Sequence, residues 1–569
     1  MGVPGFLLWF LKKHKDIKLF FNKNENHFLE NYFDGLFIDA NCLLHPQCFK
    51  VKAKNANEEN YTKLESLMIK ECVNYIKYII EYSNPSKLIF IAIDGVAPYA
   101  KIKQQRMRRF KSVKERLLRD RIKDKYKKDK DTFWNNSAIT PGTEFMDKLF
   151  NAIKLFCEEY DFGERKVIFS TANTPSEGEH KLLQYIRNND INYKCLIYGL
   201  DADLIFLALS TNKDNIYLLR EEQELDNKKT NSNILNYLSI DKIKECIIRE
   251  INDLLFDDLI DRKMINENII RDFVFICYFL GNDFLPHIPS IDIKSYDKKC
   301  INGLDLLLQA YAHTFDNIEE YLILNSDDKI EYNQVFLQMF LEYLATFEEE
   351  FFFNLYNSKK FIKRCASNDP YEKEIFRIEN LQFKIEDNIE LGKDEKENWK
   401  FRYYNKYYNT ETNQREFVKY ACDKYFEGLV WIANYYFKKC PSWTWYYPFD
   451  HAPFISDMAD FVRRTDLNNI EFKLGNPLKP IEQLLSVLPP QSSYLLPQNC
   501  SWLMKNYKSP IIHLYPNNYD LDMLYKRKYW ECIPILPDLD IDNVIKCMKK
   551  INLSEKDIKK NKIIKELYF

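Results

Sequence analysis

Continuous apolar runs that end at carboxylates recur along the first half of the chain. They are GLFIDAN with Asp39, LIFIAIDG with Asp94, VIFSTANTPSEGEH with Glu177 and Glu179, CLIYGLDADL with Asp201 and Asp203, and FVFICYFLGND with Asp283. Runs without polar alternation predict strands buried on both faces, as in a parallel sheet covered by helices. The expected fold class is therefore α/β, with a central, largely parallel sheet. Open α/β sheets carry their sites at the carboxyl ends of the strands, so these acids are expected to gather at one edge.

Beyond the last of these runs the pattern changes to helical. YNQVFLQMFLEYLATFEEEFFFNLY repeats its apolar positions at helical spacing within a region from about 300 to 380. The stretch 381–416 is rich in charge and Asn, and is the best candidate for a mobile insert. A Pro-spaced run follows from about 470, and DIDNVIKCMKKINLSEKDIKKNKIIKELYF, from 540 to 569, predicts a terminal amphipathic helix packed on the body. No internal repeat stands out.

The acids carry the first chemical signal. A cluster of carboxylates repels itself unless cations neutralise it, and all-oxygen ligands favour hard ions, Mg²⁺ or Mn²⁺, over zinc. Two ions roughly 3.5–4 Å apart would hydrolyse a phosphodiester by in-line displacement. Any single acid is more ordinarily a loop residue or helix cap; five run ends of the same chemistry argue for a set.

The second signal is KIKQQRMRRFKSVKERLLRDRIKDKYKKDK, from Lys101 to Lys130, which lacks Gly and Pro and predicts one long helix. It holds 15 Lys and Arg against 4 acids, whereas the whole chain is at −2. In the distal half Asp120, Asp124 and Asp129 interrupt the basic run, as on a solvated helix face. In the proximal half Lys101, Gln105, Arg108 and Arg109 share an arc of about 100°. They follow directly on Asp94, and such a fork of donors suits a terminal phosphate. Chain ends are thus expected to be read and cut; charge alone leaves open which end.

The 14 Cys show no Cys-x-x-Cys pair or regular spacing, so neither a disulfide framework nor a zinc site is indicated, and a reducing compartment is expected. The apolar FLLWFL segment is too short for a signal peptide and no run is long enough to span a membrane, which leaves cytoplasm, or else nucleus. The Met-Gly start has Phe6 where a myristoylation site needs Ser or Thr.

The motifs resemble those of the XRN family of processive 5′-to-3′ exoribonucleases. The matching segments are MGVPGFLLWF at the start, FIDANCLLH (37–45), DGVAPYAKIKQQRMRRF (94–110), NSAITPGTEFM (136–146), PSEGEHK (175–181), YGLDADLI (198–205), LLREE (218–222) and FLGNDFLPHIP (279–289). EGLVWIANYYFKKCPSWTWYYPF (427–449) and PIEQLLSVLPPQSSYLLP (480–497) follow in the family's order. Their length and number set them apart from a lone short motif.

The resemblance implies a PIN/FEN-like nuclease core with a mostly helical C-terminal half packed on it. It divides the chain into a nuclease region at 1–300, a helical region with the charged insert at 301–426, and a second core region at 427–569. It assigns Asp39, Asp94, Glu177, Glu179, Asp201, Asp203 and Asp283 to a centre of two Mg²⁺ or Mn²⁺ ions, and Lys101, Gln105, Arg108 and Arg109 to a 5′-monophosphate. The implied substrate is single-stranded RNA, released as mononucleotides, and triphosphate or capped ends would be poor substrates. His45 and a Trp of PSWTW, Trp443 or Trp445, are implied to stack on the leading base, an interaction worth about 1–3 kcal/mol per base. Read alone, His45 is more ordinarily a scaffold residue and the tryptophans core; His180 and His287 read as supporting groups.

Some positions depart from the family pattern. KSYDKKCINGLDLL follows FLPHIPSIDI where an Arg-Glu-Gly-type segment is usual, and FDHAP stands at 449–453 for Tyr-His-Tyr-Ala-Pro. The chain is expected to lack the C-terminal extensions of the large members, so partners that dock there are not implied, and a monomer is expected. A structure-specific DNA flap nuclease and a non-catalytic RNA-binding scaffold are the alternatives; PSWTWYY and QLLSVLP argue against the first, and retention of every acid against the second.

Overall fold

The computed structural model describes residues 5–15, 20–22, 33–56, 58, 60–130, 134–189, 193–221, 235–255, 266–293, 301–324, 329–358, 364–408, 410 and 414–569. The Met-Gly start, Glu222 of LLREE, 294–300 of the departing loop, and 409 and 411–413 of the charged stretch lie outside these residues. Two compact units are formed. One comprises Met1–Phe37, Leu182–Lys359 and Asn388–Gly475, the other Ile38–Lys181, Lys360–Asp387 and Asn476–Phe569.

In the unit that begins at Ile38, strand β2 (Gly35–Asp39) ends at Asp39, and β3 (Leu88–Ala92) pairs in parallel with β4 (Lys166–Ser170), Leu88 opposite Lys166 and Ala92 opposite Ser170. Every residue of β2 and β3 is buried, so both faces of each strand are covered, as the apolar runs require. Helices Asn41–Lys54, Tyr61–Ser83 and Glu144–Glu159 connect these strands, the last two capped by the side chains of Asn60 and Thr143.

The basic segment is one helix, Tyr99–Lys125, closed by Lys127 at φ 53°. Its apolar face, with Ile102 and Phe110, packs into a core with Leu484 and Leu485 of helix Pro480–Val487 and Val544 of helix Ile541–Met548. Within that core the buried Arg106 guanidinium donates to the carbonyls of Ser486 (3.2 Å) and Leu514, and lies over the Phe110 ring. The distal half is less solvated than its charge suggests. Arg119, Lys125 and Lys128 pair with Glu379 (2.8 Å), Glu374 (2.7 Å) and Asp369 (3.3 Å) at helix Pro370–Glu379.

The expected single terminal helix is three elements instead. Helix Ile541–Met548 ends, Ser554 caps a new helix Glu555–Lys560, and strand Leu567–Tyr568 pairs antiparallel with β4, Leu567 opposite Phe169. Ser with Asp three residues on forms an N-cap that interrupts the periodicity.

In the unit that begins at Met1, β5 (Cys195–Tyr198) and β6 (Ile216–Glu221) are parallel, while β7 (Leu235–Ser239) runs antiparallel to β6 and to β1 (Phe20–Asn22). The inner strands β3 to β6 thus pair in parallel where their pairings lie within a unit, and antiparallel strands take the edges. After residue 240 the described elements are helices apart from five two-residue strands. The α/β core and the helical C-terminal half read from the sequence are both present.

One run departs from expectation. FVFICYFLGND is helical, formed by Asn266–Ile276 and the 3₁₀ turn Cys277–Leu280, because a fully buried helix and a buried strand share the same apolar signature. Within the charged stretch 381–416, helix Lys396–Tyr408 buries Trp399, Tyr403, Tyr404 and Tyr408, with Trp399 against Phe352 and Phe454 at ring separations of 4.9 and 5.1 Å. That stretch is therefore core-bearing where a mobile insert was the sequence's suggestion. Among the described residues no helix is long and apolar enough to cross a membrane.

Candidate active site

Asp39 closes β2, and Asp94 follows β3 by two residues. Asn41 bridges the two segments. Its Nδ2 donates to Asp94 Oδ2 (2.6 Å) and its Oδ1 accepts from the Asp94 N–H (3.2 Å), while Cys42 Sγ donates to Asp39 Oδ2 (2.9 Å). The next residue, Gly95, must be glycine, because a Cβ there would lie 1.7 Å from the Thr174 carbonyl oxygen. That close approach joins the loop after β3 to the loop after β4. Gly95 N–H donates to Ser176 O (2.9 Å) and Ser176 N–H to Val96 O (2.8 Å).

Ser176 holds φ at 94°, a conformation costly for a residue with a side chain, immediately before Glu177. Helix Gly178–Asn188 then begins, and the Gly178 N–H donates to Asp94 Oδ1 at 2.6 Å, so a helix N-terminus supports this carboxylate. A Cβ on Gly178 would stand 2.8 Å from Asp39 Oδ1 and 3.3 Å from Asp94 Oδ1. The absent side chain leaves a small cradle bordered by two carboxylate oxygens. Glu177 is buried and pairs with the buried Lys101 at 2.5 Å; Glu179 and His180 are buried beside it in sequence.

Lys181 is buried under the same loops and donates to the carbonyls of Ile93 (2.7 Å) and Thr171 (2.9 Å). Burial pushes its ammonium down to about 7, opposed by the charges of Asp94, Glu566 and Asp39.

Of the four proposed phosphate contacts, Lys101 is buried, Gln105 and Arg109 are half-buried and Arg108 is exposed. Arg109 Nη2 donates to Thr140 Oγ1 (2.8 Å), and burial, then the neighbouring Arg108, takes its guanidinium down to about 9. His45, half-buried on helix Asn41–Lys54, is pushed down to about 4 by burial and then by Arg108 and Arg109. The imidazole is therefore neutral at physiological pH and within electrostatic reach of both arginines.

The other unit holds the remaining residues. Asp201 follows β5, and its Oδ1 accepts from the N–H of Asp203 (3.3 Å), the buried first residue of helix Asp203–Leu209. Asp283 is buried within a tight turn in which Asn282 Oδ1 accepts from the N–H groups of Phe284 and Leu285, both at 2.9 Å. Gly281 precedes it at φ 84°, where a Cβ would lie 2.7 Å from the His287 nitrogen; His287 itself is exposed.

The two tryptophans differ. Both are half-buried, but Trp445 stacks on Trp431 (5.4 Å, 23°) and donates its indole N–H to Glu427 (3.1 Å), so its ring is committed within the fold. Trp443 is anchored by its backbone N–H to Leu474 O (2.7 Å), and among the described residues its ring has no aromatic partner.

The structure thus brings Asp39 and Asp94 to Gly178, joins Glu177 to Lys101, and sets His45 near Arg108 and Arg109. Among the described residues no group of three or more Asp, Glu, His or Cys is close enough to hold an ion jointly. The donor chemistry nevertheless suits a hard cation, since the atoms nearest the Gly178 cradle are all oxygens, two from carboxylates and one from the Ala92 carbonyl. Sequence reading gave no role to Asn41, Cys42, Ser176, Gly178 or Lys181. FIDANCLLH and PSEGEHK contain all of them, and the glycine of PSEGEHK is the one residue type there that signals a close approach.

Comparison with known proteins gives the same direction. The XRN 5′-3′ exonuclease N-terminus model matches residues 1–222, and the Xrn1 helical domain model matches 263–374 and 354–569. The human protein "5′-3′ exoribonuclease 1" is 31% identical over 98% of this chain, and the Candida albicans "5′-3′ exoribonuclease 2" is 30% identical over 97% of it. An Arabidopsis thaliana "5′-3′ exoribonuclease 2" is 27% identical over the whole chain. The chain spans 34% of the length of the human relative, 72% of the Candida one and 69% of the Arabidopsis one.

Proposed function

This chain belongs to the XRN family of 5′-3′ exoribonucleases, and on that premise we propose that it degrades single-stranded RNA processively from a 5′-monophosphate, releasing nucleoside 5′-monophosphates. The observation that carries the reading is the pairing of Lys101, from the phosphate group, with Glu177, from the acidic group, beside the Asp39–Asp94 cradle. End recognition and bond cleavage are then adjacent.

Lys101, Gln105, Arg108 and Arg109 bind the 5′-phosphate. The ion ligands are Asp39, Asp94, Glu177 and Glu179, together with Asp201, Asp203 and Asp283, and two bound Mg²⁺ or Mn²⁺ ions would supply an activated water and charge stabilisation at the leaving oxygen. Asn41 and the Gly178 N–H both donate to Asp94 and so fix the orientation of its carboxylate. Neutral His45 offers an uncharged face for the leading base, and Trp443, with its ring uncommitted, is the better second platform. The region up to residue 300 supplies the acids; 301–426 and 427–569 follow as helical and second core regions. The thirteen described cysteines form no disulfide with one another, which suits a reducing compartment, cytoplasm or nucleus, and the protein acts as a monomer.

The test is a gel time course in Mg²⁺ with one 3′-labelled RNA carrying a 5′-monophosphate, 5′-hydroxyl or 5′-triphosphate, with Asp201→Ala as control. Selective loss of the monophosphate substrate without intermediate ladders is expected. Indifference to the 5′ group, in the wild type and in Arg108→Ala alike, would sink end recognition.

A further inference from the structure

The NSAITPGTEFM motif has no role in the chemistry above, yet its turn meets the phosphate-reading helix. The turn is fixed from several sides. Asn135 Oδ1 accepts from the Ser137 N–H (3.0 Å) and its Nδ2 donates to Ser492 Oγ (2.9 Å). Thr143 Oγ1 donates to Ala138 O (2.5 Å) or Thr140 O (3.0 Å) and caps the next helix at Met146 N. Gly142, at φ 90°, is pressed against helix Pro480–Val487, where a Cβ would meet Leu484 and Pro480 at 3.1 Å.

Thr140 sits in this turn and is 1% exposed. Its hydroxyl proton is used in donation to Ser137 O (2.7 Å), so only its lone pairs can face Arg109 Nη2 at 2.8 Å. The other side of the fork is different. Arg109 Nη1 is buried and, among the described residues, has no hydrogen-bond partner; Gln105 Oε1, one turn back on the same helix, is in the same state. Buried polar atoms left unsatisfied in this way point to a ligand that completes them.

We infer that Thr140 is a positioning residue for 5′-end recognition: its hydroxyl, held as an obligate acceptor by the turn, fixes the Arg109 guanidinium so that Nη1 is presented to the terminal phosphate. This rests on the reading that Arg109 binds that phosphate. A guanidinium with both ends free would have to be ordered by the substrate; with one end anchored, binding orders less. The threonine methyl has no part in this, so serine is sufficient.

The experiment compares KM and kcat on 5′-monophosphate and 5′-hydroxyl RNA for wild type, Thr140→Val, Thr140→Ser, Arg109→Ala and the Thr140→Val/Arg109→Ala double variant. Loss of one hydrogen bond to a charged group predicts a KM for the monophosphate RNA raised roughly tenfold in Thr140→Val, with kcat and the hydroxyl substrate little changed. Thr140→Ser should behave as wild type, and Thr140→Val should add nothing once Arg109 is alanine. An equal loss on both substrates, or a loss that persists without Arg109, would show a merely structural turn and overturn the inference. If Thr140→Val does not fold, Thr140→Ser against Thr140→Ala isolates the hydroxyl in the same way. A wild type that treats both ends alike would instead refute end recognition itself, a result distinct from a discriminating wild type unaffected at Thr140.

Discussion

Gly178→Ala places one methyl group where the structure leaves room for none. The new carbon would lie 2.8 Å from Asp39 Oδ1, 3.3 Å from Asp94 Oδ1 and 3.4 Å from the Ala92 carbonyl oxygen. Carbon–oxygen contacts settle at about 3.3–3.6 Å, so the Asp39 oxygen must retreat by roughly half an ångström while Asp94 stays nearly in place. Asp39 ends a wholly buried strand and also accepts from Cys42, so its carboxylate cannot swing away freely.

Overpacking of this kind costs about 1–3 kcal/mol. Ala is better than Gly in a helix by up to about 1 kcal/mol, which offsets part of that cost. The net destabilisation is therefore about 0–2 kcal/mol, a few degrees of Tm at most for a chain of this size. Catalysis is far more sensitive, since a displacement near 1 Å can cost about a hundredfold. The assay is turnover of 5′-monophosphate RNA across a Mg²⁺ and Mn²⁺ series, alongside a thermal melt and RNA binding by anisotropy. Turnover reduced roughly tenfold for a half-ångström shift, with RNA affinity and melt nearly unchanged, is expected. Wild-type turnover in a folded Gly178→Ala protein would refute the cradle as the catalytic position.

Other residues give separable outcomes. Arg106→Leu strands the carbonyls of Ser486 and Leu514 in the core and should cost about 2–4 kcal/mol in a urea titration, whereas the exposed Arg108→Ala should leave the midpoint unmoved. Trp445→Ala removes a half-buried, stacked, hydrogen-bonded ring and should destabilise by about 1–3 kcal/mol; Trp443→Ala should instead shorten processive runs on RNA with little change in the melt. Asp272 is fully buried and accepts from Tyr311 OH and the N–H groups of Leu322 and Ile323; burial, opposed by these bonds, pushes its carboxyl from 3.8 up to about 7. The folded state then holds a proton that the unfolded chain releases, so this group's contribution falls as pH rises from about 4 to 7 and levels off above. Asp272→Asn should abolish that slope in denaturant midpoints measured across the range, and an unchanged slope would exclude Asp272 as its source.

The strands that lead to Asp39 and Asp94 were legible because a strand buried on both faces has nowhere to place a polar side chain. The same logic misreads the run before Asp283, because Phe273–Leu280, the helical stretch it covers, is buried throughout and therefore equally free of polar punctuation. Trp399, Tyr403, Tyr404 and Tyr408 do recur at helical spacing, but Lys and Asn between them give the stretch the composition of a loop. The site was partly legible for a similar reason. Carboxylates at run ends announce themselves by charge, whereas Asn41 reads as an ordinary helix-start residue and its bridge to Asp94 exists only across 53 positions of sequence. Ser176 gives no sign of its φ of 94°, since the strain lies in a residue that is not glycine.

The basic helix shows why charge density alone overstates a nucleic-acid footprint. Its distal cations answer acids at helix Pro370–Glu379 in exposed pairs, which solvent screens. Lys111 and Lys114 donate to main-chain carbonyls at Cys532 and Tyr519, and Arg106 to those of Ser486 and Leu514. These groups have their partners within the fold, so neutralising RNA phosphates would mean giving up existing hydrogen bonds. Arg108 is exposed, and Arg109 is desolvated with one nitrogen still unsatisfied. Arg106 also keeps one unsatisfied nitrogen, Nε, but both of its terminal nitrogens are spent on main-chain carbonyls within the core. With the cations already paired set aside, a segment of 15 basic residues between Lys101 and Lys130 narrows to a few groups at its proximal end, enough for one terminal phosphate and too few for an extended backbone.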